Sequence, residues 1–143
     1  MDTLYDTDVI AWAECQAALL RSGQWAQLDM SNLIVEVEDV GNRERQALRS
    51  HLVVLLVHLL KWQFQPARRS RSWTSTILAQ RAAIEEALED YPSLNPLLDN
   101  DQWMATTYVR AVRRAKTETG LQRFPAISPW SRQQLLGMNY LPS

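Results

Sequence analysis

A stripe of mostly apolar residues in the first half of the chain most constrains how this sequence can fold. The stripe runs from Leu33 to Trp62 in steps of three and four residues, the spacing that keeps side chains on one face of an α-helix. Its members are Leu33, Val37, Val40, Glu44, Leu48, Leu52, Leu55, Leu59 and Trp62. The sequence therefore predicts one helix of about 35 residues, on the order of 50 Å long. Because glycine is a poor helix former, we expect a bend or short break at Gly41.

The segment Leu52–Leu60 is apolar on nearly every side of this helix, with His58 as its one polar residue. Such a helix lies in the middle of a protein or in an interface. The nine residues of the segment are far fewer than the ~20 needed to cross a bilayer. The N-terminus is too acidic for a signal peptide, and one cysteine, Cys15, suits a reducing compartment. We therefore expect a cytoplasmic protein with no membrane association.

The same periodicity predicts further helices on either side of the long one. The first spans residues 4–22 and ends at Gly23, which adopts the left-handed conformation at low cost. Trp25 is expected to fill the end of the bundle, and Asp29 to cap the long helix. Pro66 ends the long helix, because proline cannot continue it.

Capping residues and prolines divide the second half of the chain. A third helix is predicted from a cap at Ser70 or Ser72 to Asp90, a fourth from Ser93 to Gly120, and a last short helix that opens at Ser128-Pro129-Trp130 and closes at Gly137. No strand-type alternation occurs. The sequence therefore predicts an all-α fold: a helical bundle of three to four main helices with a long central helix and short accessory helices, in a single domain of residues 1–143.

The charges are unevenly distributed, although the net charge is only −1. Residues 1–42 hold eight acids and one base, residues 43–82 hold eight bases and one acid, and residues 83–143 hold seven acids and six bases. One interpretation is that the acidic and basic segments pack together and neutralise each other. The other is an exposed basic face for nucleic acid or an acidic partner.

A candidate polar cluster follows from these segments. Its acidic members, Glu36, Glu38 and Asp39, could hold Mg²⁺ or take part in acid–base chemistry, but they could equally receive arginine side chains. Its other members are His58, Lys61, Trp62, Arg69, Arg71 and Trp73. We expect the basic tract of residues 61–73 to face the acidic stretch of residues 36–39 or the N-terminal helix, within a subunit or across a dimer.

Aromatic residues alternate with bases in the basic tract. Such a pattern can bind nucleic acid, with bases stacked on the rings and phosphates on the cations. It can also form a packed corner, in which Trp62, Phe64 and Trp73 fill the core and arginines stack on them.

The two histidines are poor candidates for a shared metal site. His51 and His58 lie ~10.5 Å apart along a helix axis, so one helix cannot bring both to one ion. We expect hydrogen-bonded histidines in an apolar environment and assign no metal, no cofactor and no catalytic residue. The spacing of Arg45 and His51 resembles the Arg–His motif of a class of helical ribonucleases, in which these residues act on the 2′-hydroxyl and the scissile phosphate.

The segment His58–Pro66, followed by Arg69-Ser70-Arg71-Ser72-Trp73-Thr74, resembles the bacterial domain-of-unknown-function 29 family. The resemblance covers essentially the whole chain. It implies a small helical bacterial protein, but no established activity. The chain has Val35 where the family usually shows the first acid of Glu-Glu-Ile-Glu, which weakens any mechanism that requires that acid.

Three functions are compatible with these patterns. The first is a non-enzymatic protein-interaction module that binds a protein partner or a second copy as a homodimer. The second is a nucleic-acid-binding or ribonuclease-like component of a toxin–antitoxin-type pair, which would use Arg45, His51 and the basic tract. The third is a metal-dependent enzyme, which would use Glu36, Asp39 and His58.

Overall fold

A computed structural model describes residues 3–143, and these form α-helices and no strand. The helices are α1 (Leu4–Thr7), α2 (Val9–Arg21), α3 (Met30–Phe64), α4 (Arg71–Asp90), α5 (Asn95–Leu98), α6 (Asp101–Thr119) and α7 (Arg132–Leu136). Short 3₁₀ turns occupy Trp25–Gln27, Pro66–Arg68 and Pro92–Leu94. The predicted all-α class, with a long helix and short accessory helices, is confirmed.

The chain divides into two compact units, one ending at Arg43 and the other beginning at Glu44. We call them the N-terminal and the C-terminal unit and describe each by itself. Helix α3 has the predicted 35 residues and continues through Gly41, so the expectation of a break there is wrong. The single domain of residues 1–143 stays a prediction.

The N-terminal unit starts with two helices rather than the predicted single helix over 4–22. Asp8 lies between them, and its side chain accepts a hydrogen bond from the backbone N–H of Ala11, 3.1 Å away. An aspartate in this position satisfies a free N–H group of the next helix, which favours a new start over continuation. The predicted stop is confirmed, because Gly23 has φ +72°.

A hydrogen-bonded cluster joins α2 to the start of α3. Asp29 accepts from the indole N–H of Trp12 at 2.9 Å and from the side-chain amide of Asn32 at 2.8 Å. The backbone N–H of Asp29 donates to the side chain of Gln16 at 2.8 Å. Helix α3 begins at the next residue, as predicted. Trp25, in contrast, is largely exposed and does not fill the end of a bundle, so that expectation is wrong.

The Asp29 cluster makes the N-terminal unit sensitive to acid. The hydrogen bonds from Asn32 and Trp12 lower the pKa of Asp29 below its ordinary value of 3.8. A lowered carboxyl pKa stabilises the folded state above the unfolded pKa, and that contribution is lost as the pH falls through the folded pKa. We expect the indole N–H resonance of Trp12 to titrate with a midpoint below 3.8. The titration should disappear in Asp29→Asn, and a wild-type midpoint above 3.8 would contradict the assignment.

The C-terminal unit packs around the second half of α3. Helices α4 and α6 supply the facing apolar side chains. The buried core of this unit comprises Leu48, Leu52, Leu55, Leu56, Val57, Leu59, Leu60, Ile77, Ile84, Leu94, Leu98, Tyr108, Ala111, Ala115, Trp130 and Leu135. The all-round apolar segment Leu52–Leu60 therefore lies in the core, with its remaining residues partly buried. The segment was predicted to lie in the middle of a protein or in an interface, and the first of these places accounts for its burial.

Three helix starts in this unit are set by short polar side chains. Ser70 caps α4, as one of the two predicted caps. The predicted helix from Ser93 to Gly120 is wrong, because it is divided into α5 and α6. Asn100 caps α6, accepting from the backbone N–H of Trp103 at 2.9 Å. The last helix starts three residues later than expected, because Ser131 and Gln134 form a capping box.

None of the described helices has the length and apolar composition needed to cross a membrane.

Candidate functional site

The basic tract forms a packed corner between the end of α3 and the start of α4. The Lys61 ammonium lies 3.3 Å from a Glu118 carboxylate oxygen and 6.0 Å from the ring centre of Trp73. Arg114 reaches the same carboxylate at 3.5 Å. One carboxylate of α6 therefore receives two cations, and the tract is tied to the core of its own unit.

Arg69 is held in the same corner by Trp62. Its guanidinium carbon lies 4.9 Å from the centre of the Trp62 ring, and its Nε–H donates to the Trp62 carbonyl oxygen at 2.8 Å. Phe64 packs edge-on against Phe124 at 5.4 Å. The aromatic rings predicted for base stacking are thus occupied by cations and by other rings, as the packed-corner interpretation expects.

Three arginines of the tract lack a carboxylate partner. Arg68, Arg69 and Arg71 are exposed, and no carboxylate among residues 3–143 lies within ion-pair distance of them. The predicted pairing of the basic tract with residues 36–39 or the N-terminal helix, within a subunit or across a dimer, stays a prediction.

The candidate acids lie in the N-terminal unit. Glu36 accepts a hydrogen bond from the hydroxyl of Tyr5 at 2.7 Å, which raises the pKa of that tyrosine. Asp39 accepts from the side-chain amide of Asn42 at 3.1 Å, and Glu38 is exposed. In the described part of the chain, no three His, Cys, Asp or Glu side chains come close enough to hold a metal ion.

The histidines have the hydrogen-bonded character predicted for them. His58 donates from Nδ1 to the carbonyl oxygen of Val54 at 2.8 Å, and burial lowers its pKa, so it is neutral at pH 7. The Nδ1 of His51 lies 2.7 Å from the side-chain oxygen of Gln80 on α4. His58 belongs to a different unit from Glu36 and Asp39. Arg45 and His51 are six residues apart on α3. At ~100° per residue, their side chains point about 120° apart around the helix axis, so they lie on different faces.

An exposed apolar surface on the N-terminal unit was not predicted. Of the seventeen large apolar side chains that are exposed among residues 3–143, ten lie before Arg43. The most exposed of them are Ile10 at 70%, Val37 at 70% and Val40 at 72%. Sequence patterning assigned Val37 and Val40 to the buried stripe of α3, because periodicity identifies an apolar face but not whether anything covers it.

The C-terminal unit also contains an apolar cavity of about 510 Å³. Leu52 and Leu56 of α3 line it, together with Met104 and Tyr108 of α6 and Trp130. The Tyr108 hydroxyl donates to the carbonyl oxygen of Pro125 at 2.7 Å, and burial raises its pKa to about 12. The tyrosine is therefore a structural anchor for the C-terminal segment and stays protonated at neutral pH.

Comparison with known proteins agrees with the resemblance found in the sequence. The family model described as "Domain of unknown function DUF29" matches residues 4–141. The chain belongs to the DUF29 family. No curated protein and no solved structure matches this DUF29 chain. The family match includes residues of both compact units.

Proposed function

We propose that this protein is a helical interaction module that self-associates, with the N-terminal unit of one copy docking on the C-terminal unit of another. The observation that carries the proposal is the division of charge. The chain up to Arg43 holds eight acids and two bases, a net charge of −6, and the chain from Glu44 holds eight acids and thirteen bases, a net charge of +5.

The N-terminal unit offers the apolar part of this interface. Met30, Ile34, Val37 and Val40 follow one another on α3 at helical spacing, and all four are more than half exposed. Large exposed apolar patches on a soluble protein mark interaction sites. Burial of such side chains in a complex removes apolar surface from water, which favours association.

The negative charge of the N-terminal unit favours a basic partner surface for its exposed apolar face. Two N-terminal units at −6 each would repel, whereas a C-terminal unit at +5 would attract. Arg68 and Arg71 are exposed without carboxylate partners in the described chain, so they are available to Glu38 and Asp39 of a second copy. In a two-fold symmetric dimer each such contact occurs twice.

The salt dependence of association tests the charge argument directly. We expect sedimentation equilibrium of the full chain to give a dimer whose dissociation constant rises with NaCl concentration, because ~0.15 M salt screens charges beyond ~8 Å. Association through like N-terminal units would instead tighten with salt. A chain that stays monomeric at low salt across the accessible concentrations, or a dimer that tightens with salt, would overturn the proposal.

Variants on both surfaces locate the interface. The double variant Val37→Ser/Val40→Ser and the double variant Arg68→Gln/Arg71→Gln should each weaken dimerisation about tenfold or more, equivalent to ~1.4 kcal/mol. Val109→Ser on α6 is the matched control, because Val109 is 53% exposed and belongs to the C-terminal unit outside the basic tract. If the control weakens the dimer as much as the other two, the assigned surfaces are wrong.

A further inference from the structure

Arg49 occupies an unusual position on the C-terminal unit. Its guanidinium carbon lies 4.5 Å from the centre of the Trp103 ring, and its Nε–H donates to the hydroxyl of Thr107 at 3.0 Å. The side chain is partly buried between α3 and α6. The guanidinium therefore has one flat side covered by an indole and one N–H committed to a neighbouring helix.

The partner of Arg49 is itself fixed. Thr107 is fully buried, and its hydroxyl donates to the carbonyl oxygen of Trp103 at 2.8 Å. That hydrogen bond orients the hydroxyl so that a lone pair is left to accept from Arg49. The guanidinium is thus held before any ligand arrives, which lowers the entropy that binding would cost.

Among the described residues, no negative charge balances this arginine. No carboxylate of residues 3–143 lies within ion-pair distance of Arg49, and neither of its Nη groups donates a hydrogen bond in that part of the chain. Burial, and then the positive charge of exposed Arg110 on α6, lower the pKa of Arg49. Arg110 follows Thr107, the hydrogen-bond partner of Arg49, by three residues and so lies on the same face of α6. A partly buried cation with no carboxylate beside it among the described residues costs folding free energy, and groups of this kind concentrate at functional sites.

We infer that Arg49 and Arg110 form a binding site for a phosphoryl group. A guanidinium with Nη groups free to donate matches the oxygens of phosphate in a bidentate arrangement, and an aromatic ring behind it is compatible with that geometry. Two positive charges favour a free phosphate or a phosphomonoester, which carries about −1.5 to −2 charges near neutral pH, over a carboxylate with one. A phosphodiester carries one charge, and the match of its oxygens to the planar guanidinium would then distinguish it from a carboxylate less strongly. The inference is independent of the proposed self-association, since it uses neither the basic tract nor the N-terminal unit.

The phosphoryl group could be free or part of a nucleic-acid backbone, and two probes distinguish these sources. One probe is inorganic phosphate, and the other is a single-stranded oligouridylate, which has phosphodiesters and little structure of its own. The readout is the NMR resonance of the Arg49 Nε–H, with ionic strength held constant by NaCl. We expect a saturable shift with a dissociation constant on the order of 1 mM or lower.

Variants assign the effect to these residues. Arg49→Lys, which keeps the charge and loses the planar donor pair, should weaken binding about tenfold, measured by isothermal titration calorimetry. Arg110→Gln changes an exposed residue, so the fold is retained, and it should weaken binding several-fold. The control is Arg123→Gln, which removes one exposed arginine of the C-terminal unit outside the basic tract and should leave the affinity unchanged.

Each result decides the inference. Saturation by inorganic phosphate supports a free phosphoryl ligand, and saturation by oligouridylate alone, lost in Arg49→Lys, supports the same chemistry in a nucleic-acid backbone. The inference is overturned if neither probe moves the Arg49 resonance, or if chloride moves it equally. It is also overturned if Arg123→Gln weakens binding as much as Arg110→Gln.

Discussion

Replacing Arg81 with methionine is expected to destabilise the C-terminal unit by about 3 kcal/mol or more, because it removes three hydrogen bonds from a charged group. Arg81 is only 2% exposed, and its guanidinium donates to three carbonyl oxygens. These are the oxygens of Leu135 at 2.7 Å, Tyr140 at 2.8 Å and Gln134 at 3.0 Å. Two of them belong to the last turn of α7, where free carbonyls and the helix dipole both favour a cation.

Methionine fills similar space but leaves all three carbonyl groups without their donor. A buried polar group that loses its partner costs about 1–3 kcal/mol. Burial lowers the pKa of Arg81, yet the ordinary pKa of an arginine lies far above neutral, so the side chain stays charged at neutral pH. Arg81→Lys should recover only part of the loss, because an ammonium is a compact group that cannot reproduce the planar arrangement of donors.

Urea unfolding and hydrogen exchange measure this effect. Peptides covering residues 131–140 should lose protection first, since Arg81 on α4 fastens that segment. Arg123→Met is the matched control, because Arg123 belongs to the same unit, is exposed, lies outside the proposed interface, and has no carboxylate within ion-pair distance in the described chain. Equal stability of Arg81→Met and the control would show that the three hydrogen bonds contribute nothing to folding.

Arg81 also shows where sequence patterning stops. The stripe of α3 could be predicted because its evidence is local: apolar residues at three- and four-residue spacing, ended before Pro66. The partners of Arg81 lie 53 to 59 residues further along the chain and are backbone carbonyls, which carry no residue identity. No pattern in the sequence could identify them.

Helix boundaries are harder to predict than the stripe of α3 and easier to predict than the partners of Arg81. Asp8, Asn100 and Ser131 each start a helix, and their side chains are good caps. Sequence patterning passed over all three, because the apolar periodicity continues across them. A cap interrupts the backbone hydrogen bonds without changing the apolar face, so the periodicity predicts how much helix there is better than where it is divided.

In the candidate site, sequence patterning can predict a contact between residues that are close together in the chain. Arg69 and Trp62 are seven residues apart, and their stacking follows from the alternation of bases and aromatics in the basic tract. Arg49 and Trp103 make the same kind of contact across 54 positions, and Arg49 lies off the apolar stripe, so nothing in the pattern marked it. The fold brings that pair together by packing α3 beside α6.

The second large effect is expected from Leu59→Ala in the middle of α3. Leu59 has no exposed surface and belongs to the core cluster of the C-terminal unit. Truncation removes the transfer free energy of the lost methyl and methylene groups and leaves a cavity that the neighbouring helices fill only in part. Buried leucines replaced by alanine lose about 2–5 kcal/mol of unfolding free energy.

Leu78→Ala on α4 is the control that shows whether the loss of stability comes from burial or from the change of leucine to alanine itself. It makes the same change in the same unit, but Leu78 is 45% exposed. Alanine is at least as good a helix former as leucine, so the control should lose less than about 1 kcal/mol. The measurement is the urea concentration at the midpoint of unfolding, monitored by amide exchange of peptides from the C-terminal unit. An unchanged slope of the unfolding free energy against urea concentration would show that the unfolded state is the same. If Leu59→Ala and Leu78→Ala lose equal stability, the second half of α3 is not the centre of this core, because only a fully buried site carries the additional cost of the cavity.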